Sequence, residues 1–292
     1  MNLNKYQILL KTVELGNITR AAEALGYTQS AVSRAVADLE REWDLELLTR
    51  SRSGVTLSSD GEALLPYVQA VCNAGKELEE QVAELHGMTQ GTLRVGTCAS
   101  VSIHWLPPIM KEFLHRYPGI RFELVSNWEF AEVEDLVRRG RVDCGFLGLP
   151  AGPGLETFPL RRDELLAVLP PDHPLAGASF YPLERFAVDP YICIPEERDL
   201  EISLIFQEEG IHPNLQYTVN DDFAVLAMVE QGLGVSIRPE LVLRHTGRRF
   251  AAIPLERPRW RDIALAVRSG RPPSPLTARF LECVREWVES DG

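Results

Sequence analysis

Two helical apolar patterns broken by a glycine, between Ile18 and Glu40, constrain the first 58 residues to short packed helices. Upstream, Tyr6, Leu9, Leu10 and Val13 recur at i, i+3, i+4 and i+7, one apolar face of a first helix ending near Gly16. Asn17 is placed to cap a second helix whose small residues Ala21 and Ala22 allow close approach, and Gly26 closes it. Thr28 then caps a third helix running to Asp38–Glu40, with Val32, Val36 and Leu39 facing inward. Three short helices with a glycine turn before the last make a helix-turn-helix pattern.

The outward face of the third helix carries Gln29, Ser30, Ser33, Arg34 and Ala37. These are short or fork-shaped hydrogen bonders at a helix N-terminus, the part of such a motif that enters a major groove. Glutamine matches adenine bidentately, arginine matches guanine or phosphate, and serine donates to phosphate. An ordinary solvated helix face has the same periodicity, so the pattern alone leaves both readings open. Leu45–Ser58 (LELLTRSRSGVTLS) follows as two extended runs about Ser53-Gly54, a wing whose Arg50 and Arg52 would lie beside phosphates. The net charge of −12 argues against coating nucleic acid by bulk charge, but residues 1–58 balance seven basic against seven acidic side chains. The negative excess lies downstream.

The stretch ITRAAEALGYTQSAVSRAVADLE, followed by LLTRSRSGVTLSSDGEALL, resembles the N-terminal winged helix of the LysR-type transcriptional regulators, and the resemblance extends along essentially the whole chain. It implies that Gln29, Ser30, Ser33 and Arg34 read DNA, with Thr28 as cap. The sequence departs from the family pattern at Trp43-Asp44, where glycine is usual, and at Leu47-Leu48-Thr49-Arg50, where Leu-Phe-x-Arg is usual. The packing beneath the wing is the point those departures question.

Beyond Ser59, the positions Leu64, Val68, Val71, Gly75, Leu78, Val82 and Leu85 alternate spacings of four and three, a heptad seam long enough to pair two chains. Pro66 predicts a kink or a late helix start, and Gly75 supplies no knob. The resemblance implies a linker helix over residues 59–89 that dimerises antiparallel. Gly87–Gly91 (GMTQG) reads as its hinge.

From residue 90 to 292, short apolar strands alternate with amphipathic helices, which predicts parallel sheets with right-handed crossovers. The strands are placed at Leu93–Gly96, Ile120–Val125, Val142–Gly148, Leu165–Leu169, Tyr191–Ile194, Leu215–Val219, Val235–Ile237 and Ile263–Val267. The resemblance implies two α/β lobes similar to periplasmic binding proteins, the first over about 90–161 and 268–292, the second over about 162–267. The whole is thus a multidomain α+β chain: winged helix, linker helix and two-lobed effector domain. Ligands of such sheets sit outside the carboxyl ends of the strands. Strand ends therefore nominate Thr97, Cys98, Ser100, Val101, Ser126, Gly148, Pro195, Asp222, Phe223 and Arg238 as effector contacts. Hydroxyls and helix N-terminal amides facing one cleft suit a small anionic or polar effector, and Arg238 either adds a fixed charge partner or is an exposed or salt-bridged residue. Trp128 is a candidate for the cleft mouth, and His104 and Trp105 fall on a helix as packing or surface residues.

Five cysteines, an odd number with no C-x-x-C pair, argue against a disulfide framework and a structural zinc site, so no metal or cofactor is expected. Cys98, in the cleft loop, opens a redox-responsive reading within the same family, but no second cysteine lies near it in sequence. There is no G-x-S-x-G elbow, H-E-x-x-H pair or glycine-rich phosphate loop, which weakens an enzymatic reading of the α/β half. No membrane span or export leader is apparent, which predicts a cytoplasmic protein and disfavours an exported solute carrier. The expected partners are double-stranded DNA, a small-molecule effector, further copies of the chain as homodimer or homotetramer, and RNA polymerase if the protein activates.

Overall fold

The computed structural model describes residues 3–51, 54–85, 90–126, 130–195 and 200–290, without the side chains of residues 84 and 85. The head comprises α1 (Leu3–Leu15), α2 (Ile18–Leu25), α3 (Gln29–Trp43) and the antiparallel hairpin β1 (Leu48–Ser51) and β2 (Gly54–Leu57). Its caps are those the sequence calls for. Asn17 Oδ1 accepts from the Thr19 and Arg20 amides at 2.8 and 3.1 Å, Gly26 is left-handed at φ 71°, and Thr28 Oγ1 accepts from the Ala31 amide at 3.2 Å. Val32, Val36 and Leu39 are buried against Leu9, Ile18 and Ala22.

The departures beneath the wing are accommodated. Asp44 adopts φ 54°, the left-handed conformation for which glycine is usual, and Trp43 packs its ring 5.7 Å from that of Tyr6. Leu47 and Leu48 are buried in the head, and Glu40 Oε1 accepts from both of their amides at 2.9 and 3.1 Å. One carboxylate thereby ties the third helix to the base of the wing.

The linker helix α4 spans Ser59–Leu85 and runs through Pro66, which corrects the expected late start. Ser58 explains it: its Oγ accepts from the Gly61 amide at 3.0 Å and its carbonyl from that of Glu62 at 2.9 Å, fixing the first turn before the proline is reached. The seam is also divided. Val68 is buried in the head of its own chain, with Leu64 and Val71 packed partly against it, and a Cβ on Gly75 would lie 2.8 Å from the Leu3 side chain. Gly75 is therefore where α1 meets α4 rather than a missing knob. Leu78 and Val82 are 65% and 47% exposed, and Tyr67 is 72% exposed. The Leu85 side chain and residues 87–89 of the expected hinge lie outside the described residues.

The remainder contains β3 (Gln90–Thr97), α5 (Ala99–His104), α6 (Leu106–Arg116), β4 (Gly119–Ser126), α7 (Phe130–Arg138), β5 (Cys144–Leu149) and β6 (Leu155–Leu169). It continues with β7 (Tyr191–Cys193), α8 (Leu200–Glu209), β8 (Leu215–Thr218), α9 (Asp222–Glu230), β9 (Ser236–Pro239), α10 (Glu240–Leu243), β10 (Ala251–Arg268) and α11 (Pro275–Ser290). One six-stranded sheet has the order β4-β3-β5-β10-β6-β9, and β7 and β8 form a second, two-stranded sheet. The expected parallel pairing holds for β3 with β4 and β5 and for β7 with β8, but β10 runs antiparallel to both β5 and β6, as does β9 to β6. The reason is topological: β6 carries the chain out of one lobe and β10 brings it back alongside.

Two cores flank this ribbon. Trp105, Phe113, Phe146 and Phe280 anchor the first, with Phe113 and Phe280 edge to face at 5.5 Å. Tyr181, Phe186, Tyr191 and Phe206 anchor the second. Ile263, Leu265 and Val267 belong to the first core, whereas Ile253 and Leu255 belong to the second. The return crossing therefore falls between residues 255 and 263, across the register shift between Pro254 and Arg259, and not at residue 268 as the sequence reading had it. No described helix is long and apolar enough to cross a membrane.

Candidate nucleic-acid interface and inter-lobe cleft

At the start of α3 the structure exposes Thr28, Gln29, Ser30 and Arg34 in one row, with Ser33 half-buried beside them. Arg50 on β1 donates to Ser33 Oγ at 3.4 Å, so the wing and the third helix converge on this row. The Thr28 and Ser30 hydroxyls lie 3.1 Å apart, so one donates to the other and the second hydroxyl proton stays available to an outside acceptor. Helix N-terminal amides together with these side chains suit a phosphate backbone and the base edges beside it. Arg52 lies outside the described residues.

A cleft between the two lobes encloses about 680 Å³, open mouth included. Of the nominated effector contacts it brings together Cys98, Ser100, Asp222 and Arg238. Gly148 adjoins the cleft from behind its lining, and the others are placed elsewhere, for which helix and strand geometry gives the reason. Val101 follows Ser100 by one helical step and points into the first core, and Thr97 is fully buried, donating its hydroxyl to the Cys98 carbonyl at 3.2 Å. Ser126, Pro195 and Phe223 are not among the residues lining the cleft, and Phe223 is 39% exposed. Gly148 sits behind Phe130, where a Cβ would lie 2.8 Å from that ring. Trp105 is core, and Trp128 lies outside the described residues.

The sequence reading missed Arg261, Glu201, Asn220 and Phe130, all of which line the cleft. Arg261 is the most consequential. Its Nη2 stands 2.7 Å from Asp163 Oδ2 and donates to Ser100 Oγ at 3.0 Å, and its guanidinium lies over the Phe130 ring at 5.7 Å. Burial is the largest single influence and works against its charge, but Asp163, Cys98 and Glu201 together outweigh it, so its pKa is held above the usual arginine value. Asp163, 3% exposed, also accepts from the Leu241 amide at 2.9 Å. One ion pair on the crossing strands β6 and β10 thus grips α5 on one side and α10 on the other. Arg238, 1% exposed, places Nη1 3.3 Å from Asp222 Oδ1 and donates through Nε to Ser236 Oγ at 3.3 Å.

The five cysteines are free, and Cys98 Sγ has the Ser100 hydroxyl at 3.5 Å. Burial pushes the thiols of Cys72 and Cys144 up, and that of Cys283 up to about 11, so these three remain protonated packing groups.

The helix-turn-helix family described as the bacterial regulatory helix-turn-helix protein, lysR family, matches residues 3–62, and the LysR substrate binding domain matches residues 86–289. The probable HTH-type transcriptional regulator LrrA of Synechococcus elongatus is 32% identical over 288 residues, spanning 98% of this chain and 97% of that one. Among solved structures, full-length CbnR in complex with its target DNA has 24% identity and a TM-score of 0.68, covering 98% of this chain and 99% of that one. The effector binding domain of QuiR in complex with shikimate has 22% identity and a TM-score of 0.61, covering 69% of this chain and 98% of that one. At these identities the solved structures support the fold, while the family matches and the whole-length relative carry the assignment. The chain belongs to the LysR family of DNA-binding transcriptional regulators and is not an enzyme.

Proposed function

We propose that this protein is a ligand-responsive regulator, in which two or four copies read an interrupted palindrome through α3 and the wing. A small polar effector held between the lobes would shift the population among DNA-bound geometries. The observation that carries the reading is the exposed row of Thr28, Gln29, Ser30 and Arg34, braced by Arg50 at 3.4 Å from Ser33. CbnR, of the same fold, was solved on its target DNA, and the QuiR effector domain was solved with shikimate, which supports the division of labour between head and cleft. A two-fold assembly demands a two-fold site, since a symmetric pair of heads presents the same residues to each half-site.

The two kinds of contact are separable by mutation. Gln29→Ala is expected to lose about 1–3 kcal/mol of discrimination between specific and scrambled duplexes, with little change in affinity for the scrambled one. Arg50→Ala is expected to weaken all duplexes together and to reduce the salt slope by about one. Titrations of labelled duplexes at several salt concentrations measure both. Equal loss on specific and scrambled DNA for Gln29→Ala removes its base-reading role.

A further inference from the structure

The charge inventory of the cleft points to the chemistry of the effector. Among the described residues, both guanidiniums that line it already face carboxylates: Arg261 stands 2.7 Å from Asp163, and Arg238 stands 3.3 Å from Asp222. A third carboxylate, Glu201 in the first turn of α8, also lines the cleft. Its Oε1 reaches to 3.3 Å from the position a Cβ on Gly148 would take, which directs it at the inner wall. Among the described residues Glu201 makes no hydrogen bond or ion pair. Among the described residues, and counting the buried Asp163, two cations face three anions, and the surplus charge is that of Glu201. Phe130, Ile194, Ile202 and Val242 complete the walls with apolar surface that raises the cost of unbalanced charge.

A simple carboxylate entering this space meets guanidiniums that are already neutralised and a carboxylate that repels it. A cationic nitrogen meets the charge the protein leaves over. We infer that the effector carries a cationic nitrogen, an ammonium or amidinium, that pairs with Glu201, making it an amphoteric or cationic small molecule. This replaces the anionic expectation drawn from hydroxyls and Arg238, and it rests on reading the cleft as the effector site. Specificity here comes as much from rejecting anions as from attracting cations.

The test is calorimetric titration of the full chain with two sets of probes: L-arginine, L-lysine, agmatine and putrescine, against acetate, succinate and malate. At least one cationic probe is expected to bind, with affinity falling tenfold or more in Glu201→Gln and partly restored in Glu201→Asp. The carboxylates are expected to bind only once Glu201→Gln has removed the repelling charge. If a carboxylate binds the unaltered chain, keeps its affinity in Glu201→Gln and loses it in Arg238→Ala, the inference fails and the cleft reading stands. If the cationic probes bind the unaltered chain and Glu201→Gln equally, the inference fails as well. If no probe of either set binds, both the inference and the cleft reading are overturned.

Discussion

Replacing Asp163 by asparagine is expected to cost the effector domain about 3–5 kcal/mol, because it leaves the Arg261 guanidinium in a buried setting without its counter-charge. The geometry makes the effect large. Asp163 is 3% exposed and receives both Arg261, at 2.7 Å, and the Leu241 amide, at 2.9 Å. Asparagine is nearly isosteric, so the loss reports charge rather than volume. The double change Asp163→Leu with Arg261→Met is expected to recover most of the loss, since apolar replacement of a whole buried pair is often neutral or stabilising. Urea unfolding followed by tryptophan fluorescence, with Trp105 in the first core and Trp260 on the crossing strand, measures both variants. A single variant within 1 kcal/mol of the unaltered chain would show that the pair does not hold the crossing strands.

The second large effect concerns assembly. Introducing Leu78→Asp with Val82→Asp is expected to convert dimers to monomers and to lower affinity for a two-fold DNA site by on the order of 100-fold, through loss of simultaneous binding by two heads. These side chains are 65% and 47% exposed within one chain, so folding of the monomer is expected to be unaffected. Charges placed on a face that pairs with a second copy would have to be buried unpaired. Sedimentation and duplex titration read the two consequences separately. A variant that remains dimeric would move the interface away from this part of α4.

The head was legible from local signals because its determinants are local. Caps at Asn17 and Thr28, a stop at Gly26 and an inward row at Val32, Val36 and Leu39 each act within a few residues. The heptad pattern in α4 was real, but periodicity does not say what covers an apolar face. Val68 is buried by its own head, while Leu78 is left to the outside. The crossing strands escaped notice for a different reason. The outer parts of β6 and β10 alternate exposed polar residues such as Glu156 and Glu256 with partly buried ones, a weak signal compared with the continuous apolar run of Ile263–Val267.

The cleft was legible by half, along the same divide. Cys98, Ser100, Asp222 and Arg238 follow directly from strand ends and helix starts. Arg261 and Asp163 are 98 residues apart, and nothing in the sequence pairs them until β10 is set antiparallel to β6 with Arg261 opposite Asp163. Glu201 escaped because it opens a helix in the second lobe, and its place beside Gly148 exists only once the lobes face each other.

The most direct test of the central claim is selection of duplexes from a random pool by the purified full chain, repeated with Gln29→Ala. The account predicts that the unaltered chain enriches one interrupted inverted repeat and that Gln29→Ala relaxes the preference at symmetry-related positions of both half-sites. Enrichment of a site without two-fold symmetry, or no enrichment above scrambled DNA at low salt in the presence of the effector-class probes, would contradict it.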